Sequence, residues 1–186
     1  MAEQGRRYVA LDFGAESGRT IVGTIADDKL TIEPVHRYPN VPVRMGGTLY
    51  WDFPRQFNDI LDGLRKASAD GPVHSVSVDT WGVDYGYLDA RGRLIGNPVH
   101  YRDARHETMP DEAFKVIPRD ELYMATGIQF MSINTIFQML SEVKATDPIL
   151  EQADKMLMMP DIFNHFLCGV DVAEYTEATT GQTVDP

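Results

Sequence analysis

Three runs of strand-forming residues follow one another with almost no chain between them, and that spacing constrains the fold more than any other feature. Residues 7–13 (RYVALDF), 19–26 (RTIVGTIA) and 30–38 (LTIEPVHRY) are rich in β-branched and aromatic side chains and are separated by five and three residues. A parallel pairing needs a crossover of a dozen residues or more, so spacers this short dictate an antiparallel meander. The pattern then changes period. Phe53, Phe57, Ile60, Leu61 and Leu64 recur at helical spacing, with Pro54 suited to a first turn and Gly71-Pro72 as a stop. Residues 73–79 (VHSVSVD) alternate cleanly again, and the intervening helix allows this fourth strand to run parallel to the first.

Beyond residue 80 the signals are mostly helical. Residues 85–88 and 93–99 predict a hairpin around Asp89-Ala90-Arg91-Gly92. A short helix is expected at 120–126, ended by Gly127. A second carries an apolar stripe of Ile133, Ile136, Phe137, Leu140 and Val143, and a third spans 159–167 with Pro160 near its start and Gly169 after its end. Strand, strand, strand, helix, strand, then helices is an α/β order with a mixed sheet.

Composition limits what such a domain can bind. Seventeen Lys and Arg against 28 Asp and Glu give a formal net charge of −11 over 186 residues. Neutralising nucleic-acid phosphates or an anionic membrane needs a basic face, so neither is an expected partner. A small phosphorylated ligand stays possible, because magnesium and backbone N–H groups hold phosphates without net positive charge. A single cysteine, Cys168, excludes an internal disulfide and fits a reducing compartment. Residues 1–7 are polar and the apolar stretch 8–11 is too short for a signal core, which predicts a soluble cytoplasmic protein. His36, His74, His100, His106 and His165 are scattered, without metal-ligand spacing or evident partners. His74 reads as a surface or capping residue. Met156, Met158 and Met159 read as helix-packing residues, and Cys168 as an inert thiol among apolar neighbours near a helix end.

Three segments have the residue types for chemistry. Asp12-Phe13-Gly14-Ala15-Glu16-Ser17-Gly18-Arg19 joins two predicted strands through a glycine-containing turn. Glycines let backbone N–H groups approach an anion; Ser17 offers a hydroxyl, Arg19 a cation, and Asp12 an oxygen for magnesium, directly or through water. An ordinary hairpin turn would carry the same glycines. Asp79-Thr80-Trp81-Gly82-Val83-Asp84-Tyr85-Gly86 begins where the fourth strand ends. Ligands of open α/β sheets bind beyond the carboxyl ends of strands, which would bring Asp79 near Asp12. Trp81 has a flat face for a sugar to stack on, Gly82 a reachable amide, and Asp84 an acceptor for hydroxyls; a core tryptophan with turn-capping aspartates is the alternative. Tyr101-Arg102-Asp103-Ala104-Arg105-His106 alternates in charge and reads as a solvated loop with an Arg–Asp pair fixing the crossover.

Together these segments resemble the N-terminal, sugar-binding-side domain of a FGGY-family carbohydrate kinase. DFGAESGR is similar to that family's first phosphate loop and DTWGVDYG to its substrate-side segment; YRDAR, TGIQF with Asn134-Thr135, LMMPDIF and EYTEATT then recur in the family's order, from Tyr8 to Thr183. The resemblance implies a ribonuclease-H-like fold of the actin/hexokinase/Hsp70 superfamily over residues 1–186. It places ATP phosphates on Ala15, Glu16, Ser17, Gly18 and Arg19, a magnesium–phosphate network on Asp12, and the sugar on Gly82, to which we add Trp81 and Asp84 as neighbours. Glu16 departs from the family, which more often has Ser or Thr there, and is expected to point outward and offer only its amide. DTWGVD followed by YRDAR and TGIQF favours the branch acting on L-rhamnulose, in rhamnose catabolism, over those acting on glycerol, xylulose or gluconate; L-fuculose is a close alternative. The general base, the adenine site and the second phosphate loop belong to a C-terminal domain that this chain does not contain, so no residue here is assigned as base and the chain alone is expected to be catalytically incomplete. Two rivals stay open: a two-metal nuclease of the ribonuclease-H type using Asp12 and Asp79, against which the acidic charge weighs, and a non-catalytic nucleotide- or sugar-binding module.

Overall fold

The computed structural model describes residues 5–184; residues 1–4 of the polar start, and Asp185 and Pro186 at which the chain stops, lie outside the described residues. The chain opens with strands β1 (Arg6–Phe13), β2 (Ser17–Ala26), β3 (Lys29–Pro39), β4 (Val43–Met45) and β5 (Thr48–Tyr50). Helix α1 (Phe53–Ser68) and strands β6 (Ser75–Asp79) and β7 (Tyr85–Leu88) come next. Helices α2 (Met109–Ala113), α3 (Arg119–Thr126), α4 (Thr135–Ala145) and α5 (Ile149–Gln152) precede strand β8 (Lys155–Met158), then α6 (Met159–Cys168) and α7 (Tyr175–Thr180). They divide into two compact units, Met1–Val41 with Asp52–Trp81, and Pro42–Trp51 with Gly82–Pro186.

The first unit is built on a mixed sheet of order β3-β2-β1-β6. β1, β2 and β3 form the antiparallel meander that their spacing dictates, and β6 runs parallel to β1. Val9, Leu11 and Phe13 alternate along β1 and are buried on one face. On that face Gly63 of α1 sits against Thr20, the cross-strand partner of Leu11. Helix α1 forms where the apolar period falls; the Asp52 side chain accepts the Arg55 N–H at 3.3 Å as its cap, and Phe53, Ile60 and Ala67 are buried. Each large apolar side chain buried here contributes about 1.5–3 kcal/mol. His74 caps the sheet as read: its N–H donates to the Arg7 carbonyl at 2.7 Å, and its Nδ1 accepts the Arg7 N–H at 3.3 Å.

The second unit departs from expectation in several places. A small hairpin, β4 with β5, turns through Gly46-Gly47, both at positive φ; that Gly-Gly pair was the available signal. The turn at 89–92 forms, with the Asp89 carboxylate accepting the Arg91 and Arg93 N–H groups. Its second arm is not a strand. It keeps the bridge Leu88↔Leu94 and the Ile95 N–H bond to the Tyr87 carbonyl, then leaves at Gly96 (φ +72) and Pro98. The antiparallel partner of β7 is β8 instead, so Met156 and Met158 lie on a strand, not a helix; only Met159 begins α6.

Helix α4 buries a polar face. Thr135, Phe137, Gln138, Ser141 and Glu142 point inward, while Val143 of the expected stripe is exposed. The charge run at 101–106 is solvated only in part, with Arg102 exposed. Asp103 and His106 are buried, Asp103 accepts the Leu49 N–H at 2.6 Å and the Arg105 backbone N–H at 3.1 Å, and the Arg105 guanidinium pairs with Glu142 at 3.3 Å. The histidines also have partners: His36 with Lys66, His100 stacked on Trp51, His106 near Ser141, and His165 with Asp171. Cys168 is exposed, its thiol bonded to the Asn164 carbonyl, because it ends α6 on the outer side. Helices α3 and α6 stop where expected, at Gly127 and Gly169 in the left-handed region. No helix among the described residues is long and apolar enough to cross a membrane.

Candidate active site: a phosphate turn and a buried aspartate hub

The β1–β2 turn is shaped by what holds its carbonyls. The ladder ends at Phe13↔Gly18, and the Gly14 N–H closes the turn on the Ser17 carbonyl at 3.0 Å. Asn40, buried just past β3, ties down the rest. Its backbone N–H donates to the Glu16 carbonyl at 2.9 Å, and its side-chain Nδ2 donates to the Gly14 carbonyl at 3.0 Å. Gln56 of α1 in turn donates to Asn40 Oδ1 at 2.8 Å. Among the described residues, nothing accepts the N–H groups of Ala15 and Glu16. A turn with its carbonyls engaged and its amides unspent is an anion-binding arrangement. Glu16 is exposed. Gly18 owes its identity to packing: a Cβ there would lie 2.1–2.7 Å from the Tyr38 ring. That ring is buried, and burial, with the carboxylates of Asp59 and Asp12, pushes the Tyr38 phenol well above its usual range.

A charged row crosses the sheet beside this turn. Asp12 is in register with Arg19 on β2 and with Asp79 on β6, and Arg19 is in register with Arg37 on β3. Cross-strand partners share a face, so all four side chains stand opposite the face that α1 covers. Asp12 and Arg19 form an ion pair. Asp79 thus lies beside Asp12, as its strand-end position implied. No group of three or more His, Cys, Asp or Glu among the described residues forms a metal cage. Magnesium does not need one: it keeps several waters and takes one or two carboxylates plus substrate phosphates. The donor set here, Asp12 with Asp79 in register, fits that mode.

The second segment is divided between the units. In the first, Trp81 meets Phe13 edge-on at 6.3 Å and is partly exposed. In the second, Gly82 faces α7: a Cβ on it would lie 3.4 Å from a Glu177 carboxylate oxygen. Val83 adopts φ +72, unfavourable for a β-branched residue. Its carbonyl is held by the Thr135 hydroxyl at 2.7 Å and by Gln138 Nε2 at 3.2 Å. Asp84 is fully buried. Its carboxylate accepts Trp51 Nε1 at 2.5 Å, Gln138 Nε2 at 2.8 Å and the Tyr101 N–H at 3.3 Å. A carboxylate spent on three protein donors anchors the segment, while residues 80–83, Trp81 and Gly82 among them, stay partly exposed and Asp79 exposed. Trp51 stacks on His100 at 4.0 Å. Burial first, then the Arg102 cation, lowers His100 to about 4.

The structure therefore brings Asp12, Ala15, Glu16, Ser17, Gly18, Arg19 and Asp79 to one end of the first unit's sheet. Asn40, Gln56, Trp51, Gln138 and Glu177 are the participants that sequence reasoning missed. Asn40 follows the Tyr38-Pro39 strand end and looks like any turn residue, and the bonds of Trp51 and Gln138 to Asp84 span 33 and 54 positions.

Residues 7–185 match the model of the FGGY family of carbohydrate kinases, N-terminal domain. A rhamnulokinase from Bacteroides thetaiotaomicron is 40% identical over 181 residues, covering 97% of this chain and 37% of that protein. A rhamnulokinase from Bacillus subtilis is 36% identical over 179 residues, covering 96% and 36%. The chain thus spans little more than a third of the length of these curated relatives. Among solved structures, gluconate kinase and ligand-bound xylulose kinase from Lactobacillus acidophilus superpose with TM-scores of 0.83 and 0.82 at 16% and 15% identity, each over 97% of this chain and 37% of theirs. At that identity the likeness is one of fold: the actin/hexokinase-like α/β fold of sugar kinases.

Proposed function

This chain belongs to the FGGY family of carbohydrate kinases, and from that premise we propose that it is the N-terminal part of a cytoplasmic, ATP-dependent kinase that phosphorylates L-rhamnulose at its 1-hydroxyl. The observation that carries the nucleotide half is the Gly14–Ser17 turn, with its carbonyls engaged and the Ala15 and Glu16 amides unspent. The sugar half is supported by the name the curated relatives share.

In this reading the ATP phosphates lie on the amides of Ala15, Glu16 and Gly18, on the Ser17 hydroxyl and on Arg19. Asp12, through water and with Asp79 beside it, holds the magnesium that neutralises phosphate charge. Gly82 meets the sugar through its backbone, and Trp81 offers an apolar face nearby. Asp84 acts on the site through Trp51 and Gln138 as a positioning residue. Phosphoryl transfer needs charge stabilisation, an acceptor for the hydroxyl proton and exclusion of water. This chain contributes the first in part; the base, the adenine site and closure come from the C-terminal domain of the longer protein. L-fuculose is the substrate most easily confused with L-rhamnulose.

The test is ADP release, coupled to an indicator enzyme, by the full-length protein with L-rhamnulose, L-fuculose, D-xylulose and glycerol. We expect L-rhamnulose to give the highest kcat/KM, and the 186-residue chain alone to show no sugar-dependent turnover. Preference for another acceptor would reassign the substrate, and robust turnover by the chain alone would remove the division of labour.

A further inference from the structure

The Asp12–Arg19 ion pair leaves a charge problem at the turn. Arg19 is the cation that the sequence offers to phosphate, yet it is engaged by Asp12. Asp79 is in register beside that pair, Glu16 is exposed on the turn, and the chain carries −11 overall. A polyphosphate arriving here meets a compensated ion pair and two further carboxylates. Apart from magnesium, only the backbone amides then oppose repulsion that acts over roughly a Debye length, about 8–10 Å at ordinary ionic strength.

Arg37 stands at the end of the same row. It is the cross-strand partner of Arg19 and therefore shares its face. It is exposed, and among the described residues its guanidinium has no acceptor. It lines one open hollow together with Glu16 and Ser17 of the turn and with Tyr38 and Pro39. We propose that Arg37 is a second phosphate-binding cation of this site, supplying the uncompensated positive charge that Arg19 lacks and gripping the nucleotide's phosphate chain from the β3 side. The inference rests on reading the turn as a nucleotide-phosphate site. A planar guanidinium suits the task, since it can take two phosphate oxygens at once.

The 186-residue chain, labelled with nitrogen-15, can be titrated at low salt with inorganic triphosphate, with and without magnesium, while the Ala15 and Glu16 amide signals are followed. We expect saturable shifts at both amides. Arg37→Ala should weaken binding about tenfold, the loss of one charge-assisted contact, and make binding less salt-dependent. Arg37→Lys should keep part of the affinity, and Lys29→Ala, which removes a cation at the far end of β3, should change nothing. The Arg37 side chain is exposed and unbonded, so equal urea midpoints will confirm that the variants fold alike. Binding by Arg37→Ala as tight as the parent's, with the amides still responding, would overturn the role of Arg37 and spare the reading of the turn. Parent amides that do not respond at all would remove that reading, and Arg37 with it.

Discussion

Gly18 and Asn40 show how tightly single residues define the turn. Alanine at position 18 would set its Cβ 2.1 Å from a Tyr38 ring carbon, and neither the sheet backbone nor a ring at 4% exposure can retreat freely. We expect Gly18→Ala to cost about 2–3 kcal/mol as overpacking, read from urea denaturation, and to recover in part when Tyr38→Ala removes the ring. An unchanged midpoint would show that the ring yields. Asn40→Ala deletes two side-chain hydrogen bonds and leaves the Gln56 amide facing nothing. A loss of about 1–3 kcal/mol follows, together with weaker triphosphate response at Ala15 and Glu16; full stability and full response would mean that the turn holds its shape without this clasp. The glycines and the serine of the turn were legible in the sequence because their types announce a tight, anion-ready bend. Asn40 was not, since what distinguishes it is a partner on α1.

At the scale of elements, legibility followed the locality of the signal. β1, β2, β3, β6 and α1 were readable because their apolar period is internal to each segment. β8 was not: four residues, Lys155–Met158, run directly into α6 and pair with a strand some seventy positions earlier. The buried face of α4 was misread because Gln138 and Glu142 are accommodated by partners on distant segments, Asp84, Tyr87 and Arg105, and amphipathicity cannot anticipate a satisfied polar interior. That interior carries a pH dependence. Burial first, and Arg105 second, lowers His106 from 6.5 to about 4, and His100 behaves alike. The unfolded chain therefore binds protons that the folded chain refuses between about 6.5 and 4. The stability this represents is complete above pH 6.5 and lost as pH falls toward 4, by up to about 3 kcal/mol per histidine. Glu142 works in the opposite sense, because burial raises its carboxyl and acidification relieves that cost. Melting temperature should fall across this window in the parent and fall less steeply in His106→Gln; parallel slopes would show that His106 does not carry the effect.

For the whole molecule, a charge of −11 and the proposed phosphate site at the turn are compatible because the local arrangement differs from the average. The amides of Ala15 and Glu16, the carboxylates of Asp12 and Asp79 suited to magnesium, and the guanidiniums of Arg19 and Arg37 gather at one sheet end in an otherwise acidic chain. Fold class and family were legible from segment order, since colinear motifs along nearly the whole chain restrict the topology even where each is ordinary alone. Most of the hydrogen-bonded support for those motifs was not, because it is contributed from other segments. We propose this sheet end, with Asp12 at its centre, as the place that holds the nucleotide of a sugar kinase. The most direct measurement is L-rhamnulose-dependent ADP release by the full-length protein and by its Asp12→Asn variant, with sugar affinity measured alongside by calorimetry. We expect turnover in the parent, a loss of about a hundredfold or more in the variant, and unchanged sugar binding; an Asp12→Asn enzyme that turns over at the parent's rate, or a parent that releases no ADP with any sugar, would rule out this role for the sheet end.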